Sequence, residues 1–196
     1  MKKIMFNDKY GLTEAVLANR KTQTRRIISS IDPYNRRYEG TLKVRNTLGQ
    51  IGLLALFSDV RIFSAYYIGE EVAISQSYRA ISEQSNMLSQ MNELKELPGY
   101  RNKMFVRADL MLHHIRITDI RVERLQDISD EDCLQEGIWC DDNIGLEGTT
   151  YWYYGLSNSS FRTPQEAYAS LINRISDKGT WESNPYVFVY DFELID

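Results

Sequence analysis

Lys21, Thr24 and Arg26 stand closest to chemistry in this chain. They lie in Ala18 to Ile27, a ten-residue window with four cationic side chains and two threonine hydroxyls. An arginine offers a planar fork that suits phosphate. A lysine offers a compact charge whose pKa falls on entering a cleft. A threonine hydroxyl beside a neutral amine can act as a nucleophile, because the amine can take its proton. The same residues also suit a basic strand edge that deters aggregation. A hydrolytic site would need a carboxylate as well, and Glu70 and Glu71 stand at the mouth of the next core strand, although a solvated turn explains them equally. The cluster Tyr151-Trp152-Tyr153-Tyr154 could stack bases or pack as a lid on the core.

These groups need elements to position them. Thr13 is expected to cap a short helix through Glu14, Ala15, Val16, Leu17 and Ala18. Asn19 is the expected stop, since Asn tolerates the left-handed backbone of a helix end. Lys21 then falls in a turn, and Thr22 to Ile28 reads as a strand. Alternation puts Thr22, Thr24 and Arg26 on one face, and Gln23, Arg25 and Ile27 on the other.

The chain has 196 residues, 43% hydrophobic and 26% charged, which suits one domain with its own core. No apolar run approaches the roughly 20 residues of a membrane helix. The opening Met1 to Phe6 turns polar at Asn7-Asp8-Lys9, so no secretory signal is read and a cytoplasmic protein is expected. Net charge is -4. Residues 1–50 carry eleven Lys/Arg against four Asp/Glu, a net of +7, and the remainder carries -11. A basic end on an acidic chain suggests a local anionic partner. Cys133 and Cys140 lack zinc or disulfide-framework spacing. His113 and His114 are adjacent and would point apart on a strand. No metal and no cofactor are assigned.

Further along, Leu42–Val44, Leu53–Phe57 with Val60–Phe63, Val72–Tyr78, Met104–Val106 and Tyr186–Leu194 read as strands. Residues 79–102 read as a polar excursion, partly helical. In His114–Leu125, Ile115 and Ile117 lie on one alternation phase and Ile120 and Val122 on the other. A bulge near Thr118-Asp119 would bring both pairs to one face. Ser129-Asp130-Glu131-Asp132 opens a helix that Gly137 ends. Thr163-Pro164-Gln165-Glu166 opens another, with Tyr168, Leu171, Ile172 and Ile175 as its apolar stripe and Gly179 as its stop.

The junction Asn19-x-Lys21-x-x-Thr24-x-Arg26 resembles the signature of the ASCH domain, a PUA-like superfamily associated with RNA. Gly69-Glu70-Glu71-Val72 looks like that family's second core element. The run Ile117 to Leu125 looks like its long strand. Gln126 to Asp132, Glu136-Gly137-Ile138, Trp181 and Asn184-Pro185 resemble the ASCH-like proteins of phages and mobile elements. The resemblance implies one α+β domain over 1–196, a PUA-like open β-barrel with helices at its rim, and insertions at 30–60, 79–102 and 141–160. It also implies a cleft suited to RNA or a modified nucleotide, bound by Lys21, Thr24, Arg26, Gln76 and Tyr78. One branch of the family hydrolyses the acetyl amide of N4-acetylcytidine with a Lys, a Thr and a Glu. Lys21 and Thr24 match the first two, but Gln76 stands where the Glu aligns. Glutamine cannot exchange a proton at neutral pH, so Glu70 or Glu71 would have to substitute. A binding module therefore ranks first and an amidohydrolase second. A non-catalytic phage accessory protein is a third reading.

Overall fold

The computed structural model describes residues 1–28, 41–47, 50–55, 60–84, 94–141, 148–155 and 160–196. Its strands are β1 (Lys2–Ile4), β2 (Gln23–Ile27), β3 (Thr41–Arg45), β4 (Ile51–Ala55), β5 (Val60–Phe63), β6 (Glu71–Ile74), β7 (His114–Arg124), β8 (Trp139–Asp141), β9 (Thr150–Trp152) and β10 (Tyr186–Leu194). Its helices are α1 (Leu12–Leu17), α2 (Tyr78–Gln84), α3 (Asp130–Gln135), α4 (Pro164–Ile175) and α5 (Thr180–Ser183). The class is α+β. Five strands form a mixed sheet in the order β1-β6-β7-β10-β2. β1 runs parallel to β6, and the other neighbours are antiparallel. β3-β4-β5 and β8-β9 make two smaller sheets.

Among the described residues no strand pairing joins β1 to β2. The two outer strands nevertheless approach each other. Arg26 of β2 donates from Nη2 to the carbonyl of Met5, just past β1, at 2.7 Å. Phe6 packs against Phe192 with ring centroids 5.7 Å apart. The sheet therefore curls enough for a side chain on one edge to reach the backbone beside the other.

β7 owes its continuity to the expected irregularity. Asp119 pairs with Asp191 and Ile117 with Phe192, so Thr118 opposes no residue. One extra residue shifts the alternation by one step. Ile115, Ile117, Ile120 and Val122 thus enter a single buried cluster despite their opposite phases. β10 carries four consecutive buried residues, Val187 to Tyr190. It is covered on both faces, as an inner strand of a sheet lying under helices must be.

Several local expectations are met. Asn19 has φ of 53° and ends α1's turn. Ser129 accepts from the Asp132 amide and caps α3, and Thr163 accepts from the Glu166 amide and caps α4. α4 buries Tyr168, Leu171 and Ile172 from its apolar stripe, and Ile175 packs against the same core. Val60–Phe63 does pair with the strand before it.

Others are corrected. α1 starts at Leu12 with Gly11, not Thr13, as its cap. The Thr13 hydroxyl instead donates to Asp8 Oδ1 at 2.5 Å, a carboxylate close enough to claim it. Met104–Val106 is not a strand. Lys103–Phe105 is a 3-10 turn capped by the Asn102 side chain, with Met104 and Phe105 exposed and no apolar face to bury. Gly179 does not stop α4, which ends at Ile175. With φ of 90° it precedes α5 instead. The expected insertions at 30–60, 79–102 and 141–160 lie partly outside the described residues. No helix among the described residues is long and apolar enough to cross a membrane.

Candidate functional site

The register around β2 sorts its side chains. Thr24 pairs with Tyr190 and Arg26 with Phe188, while Gln23 pairs with Asp191 and Arg25 with Val189. Paired residues share a face, so Thr24 and Arg26 lie with Tyr190 and Phe188. Gln23 and Arg25 face the opposite way, toward α3. β2 is also an edge strand. Residues of both faces reach a hollow of about 500 Å³ beside it, which is within the usual size of small-molecule sites.

The junction before β2 is tied down by its backbone. Arg20 and Lys21 amides both donate to Ala15 O, and the Thr22 amide donates to Gln135 O at the end of α3. That last bond brings Glu136 over Lys21. Lys21 Nζ donates to Glu136 Oε2 at 2.5 Å, to Glu136 O at 2.8 Å and to Gln23 O at 2.7 Å. All three ammonium donors are thus engaged. The side chains of Lys21 and Glu136 are only 1% and 6% exposed. Burial lowers the Lys21 pKa, and the Glu136 charge opposes that shift. Gly137, with φ of 103°, follows at once. A Cβ there would stand 3.3 Å from Leu12 and 3.7 Å from Lys21. A side chain would be strained by its backbone and would crowd the pair.

Arg25 completes a charged layer. Its guanidinium donates to Glu123 at 2.6 Å, to Asp132 at 2.8 Å and to Glu136 Oε1 at 3.2 Å, and it also contacts the Gln23 amide oxygen. Arg121 joins through Asp132 at 2.8 Å and Asp191 at 2.5 Å. Burial works against the charge on Arg25, but Glu136 and Glu123 outweigh it, so the group stays protonated. Burial likewise works against the Asp132 carboxylate, yet hydrogen bonds from Arg25 and Gln23 hold its pKa below the ordinary value. This layer fixes the carboxylate of Glu136 from behind.

On the open side the groups are less fully engaged. Among the described residues the Thr24 hydroxyl makes no hydrogen bond, and neither Arg26 nor Lys9 has a carboxylate partner. Arg26 uses one donor on Met5 O. Lys103 is engaged, donating to Asp8 at 2.7 Å and Thr13 at 3.1 Å as well as to Phe6 O. The hydroxyl of Tyr168 is wholly buried and meets no partner among the described residues. Burial pushes its pKa well above the usual phenol range, and the Glu136 charge adds to that. Leu12, Leu171, Ile172 and Ile175 supply an apolar wall. Five cationic residues (Lys9, Lys21, Arg25, Arg26, Lys103) face two acids (Asp8, Glu136) around this hollow, inside a chain of net charge -4.

The structure brings Lys21, Thr24 and Arg26 to this one hollow and does not bring the other expected residues to its lining. Glu70 pairs with Lys2 at 3.0 Å and accepts from the Tyr67 amide. Glu71 pairs with Arg116 at 3.0 Å on the surface. Gln76 is buried, its amide toward Met111 sulfur at 3.3 Å. Tyr78 belongs to a second small core with Ile81, Val106 and Met111, where its hydroxyl accepts from the Arg107 amide. In the aromatic cluster, Tyr153 is fully buried, while Trp152 stacks on Trp139 at 5.0 Å beneath the guanidinium of Arg20. Glu136 and Tyr168 were not anticipated as site residues. Among the described residues no group of three or more His, Cys, Asp or Glu is arranged to hold a metal ion. Comparison with known proteins returns no match: no family model, no curated protein and no solved structure matches the chain.

Proposed function

We propose that the hollow beside β2 binds a nucleoside or nucleotide, free or within RNA, as a cytoplasmic module of the PUA-like kind. The observation that carries this reading is the guanidinium of Arg26, without a carboxylate partner among the described residues, beside a Thr24 hydroxyl that makes no hydrogen bond among them, in a cationic lining set against an apolar wall. Arg26 and Lys9 suit a phosphate. Thr24 suits a sugar or base edge, and Leu171 and Ile172 suit the face of a base. Lys21 then acts as a buried positioning residue that holds Glu136 and the turn before β2. The PUA-like open barrel is part of the same proposal, supported by the approach of β1 and β2 through Arg26 and Met5. Titration with cytidine 5′-monophosphate across salt concentrations tests the reading. Affinity that falls as salt rises is expected, and no binding at low salt would contradict it.

A second reading is favoured by Glu136 standing 2.5 Å from Lys21. The pair supplies the carboxylate that Gln76 lacks. In an amidohydrolase, Thr24 would attack the acetyl carbonyl of N4-acetylcytidine. Lys21, having passed a proton to Glu136, would take the hydroxyl proton and hand it to the departing amine. Water would then release the acetyl group from Thr24. The three hydrogen bonds already made by Lys21 favour an ammonium over a base, which keeps binding ahead. Incubation with N4-acetylcytidine separates the two: turnover that disappears in Thr24→Ala supports hydrolysis, and no product at high enzyme concentration removes it.

A further inference from the structure

The first hollow shares Met5 and Arg26 with a second hollow of about 390 Å³. Ile28, Ile62, Phe63, Tyr66, Phe188 and Tyr190 line much of it. Its character differs from that of its neighbour. Its other cation, Lys3, holds two of its three donors on the carbonyls of Met104 and Val106, each at 2.7 Å. The tyrosine hydroxyls are spent too. Tyr66 donates to Lys3 O at 3.0 Å, and Tyr190 accepts from the Ala65 amide at 3.0 Å. These bonds fix the rings, which meet edge to face at 5.2 Å. Phe63 reaches this wall from β5 of the small sheet. A Cβ at Gly52 would lie 2.7 Å from the Phe63 ring and 2.5 Å from Ile62 O, so glycine there leaves the ring its place. The second hollow therefore offers aromatic and aliphatic surface, with Lys3 held at one side by two carbonyls and Arg26 on the border with the first hollow.

We infer that the ligand spans both hollows: a dinucleotide-length strand, with one nucleoside in each and the linking phosphodiester on Arg26. This rests on the nucleotide reading above and extends it from a single nucleotide to a strand. The charge arrangement selects the occupant. An apolar ligand would leave the guanidinium of Arg26 without a counter-charge between the two hollows. An anionic group confined to the second hollow would meet, besides Arg26, only Lys3, two of whose three donors are already on carbonyls. A base on fixed aromatic rings gains stacking energy whatever its identity, while the phosphodiester supplies the charge that Arg26 lacks. The small sheet then has a role, since β5 provides one wall of the second subsite.

The test is calorimetric titration at low salt of two probes, cytidine 5′-monophosphate and cytidylyl-(3′→5′)-cytidine, into the wild type, Phe63→Ala and Phe63→Leu. The wild type is expected to bind the dinucleoside probe at least about fivefold more tightly, the low end of stacking one further base. Both variants should lose most of that advantage while binding the mononucleotide within about twofold of wild type. Circular dichroism establishes that they are folded, and Phe63→Leu retains bulk without a ring should Phe63→Ala unfold. Equal affinity of the wild type for the two probes, or an advantage that persists in the folded variants, overturns the inference and leaves the nucleotide reading standing. Failure of the wild type to bind either probe overturns both.

Discussion

Lys21 and Glu136 form a pair whose two charges have almost no contact with water, so each needs the other. Removing one partner of such a pair strands the other charge and costs several kcal/mol. Lys21→Met should lower unfolding free energy by about 3 kcal/mol in urea titrations. The double variant with Glu136→Gln should recover part of that loss, because the stranded charge is gone. Thr24→Ala should change stability by less than about 1 kcal/mol, since its hydroxyl makes no hydrogen bond among the described residues. Tyr168→Phe removes a buried hydroxyl with no partner among the described residues. It should leave the melting temperature unchanged or raise it, as deleting an unsatisfied buried polar group does. A melting temperature several degrees lower would contradict the assignment. Lys21, Thr24 and Arg26 were legible in the sequence because their types cluster within six positions. Glu136 was not, because its contact with Lys21 spans 115 residues and depends on how α3 ends. Its only local mark was an acid just before the glycine that closes a helix.

At the scale of elements, the bulge in β7 reconciles two opposed apolar phases. Deleting Thr118 would restore strict alternation and turn either Ile115 and Ile117 or Ile120 and Val122 away from the core. The expected outcome is loss of cooperative thermal unfolding, read by near-ultraviolet circular dichroism. A protein that melts as sharply as wild type would show that the bulge is dispensable. This irregularity could be read from residues alone, since four branched side chains on two phases cannot share one face of a plain strand. Thr13 and Met104–Val106 were misread for a common reason. A hydroxyl and a short apolar run were given their usual local roles, but Asp8 and Asn102 compete for the same hydrogen bonds. The pairing order β1-β6-β7-β10-β2 was beyond the sequence, because it joins strands more than 150 residues apart, as when Thr24 meets Tyr190.

Across the whole molecule, uneven charge becomes a local device. From the basic first quarter of the chain, Lys9 and Arg26 turn toward one hollow, while Arg25 and Arg121 neutralise the acids of α3 and β7 behind it. The buried titratable groups also set an alkaline limit. Burial pushes the Cys133 thiol up to about 12 from 9.0, and the Tyr190 phenol up to about 12 from 10.0. Each keeps a proton in the folded state that the unfolded chain releases, so stability falls as pH rises through the interval from 9 to 12. Lys21 acts oppositely. Its lowered pKa means the folded state gives up a proton first, so its contribution rises with pH up to its unfolded value of 10.5. One lysine does not offset the thiol and the phenols, and the melting temperature should drop between pH 9 and 11. Cys133→Ala should make that drop shallower. A flat profile in the wild type would show that these groups ionise freely in the folded protein.

Arg26 has no carboxylate partner among the described residues, which leaves its charge for an anion in the hollow. Calorimetric titration of cytidine 5′-monophosphate into wild type and Arg26→Met, at matched low salt, tests it most directly. Binding that weakens about tenfold or more in the variant, with melting temperatures within a few degrees of each other, is the expected result. Equal affinity in the two proteins would place the anion elsewhere and contradict the account.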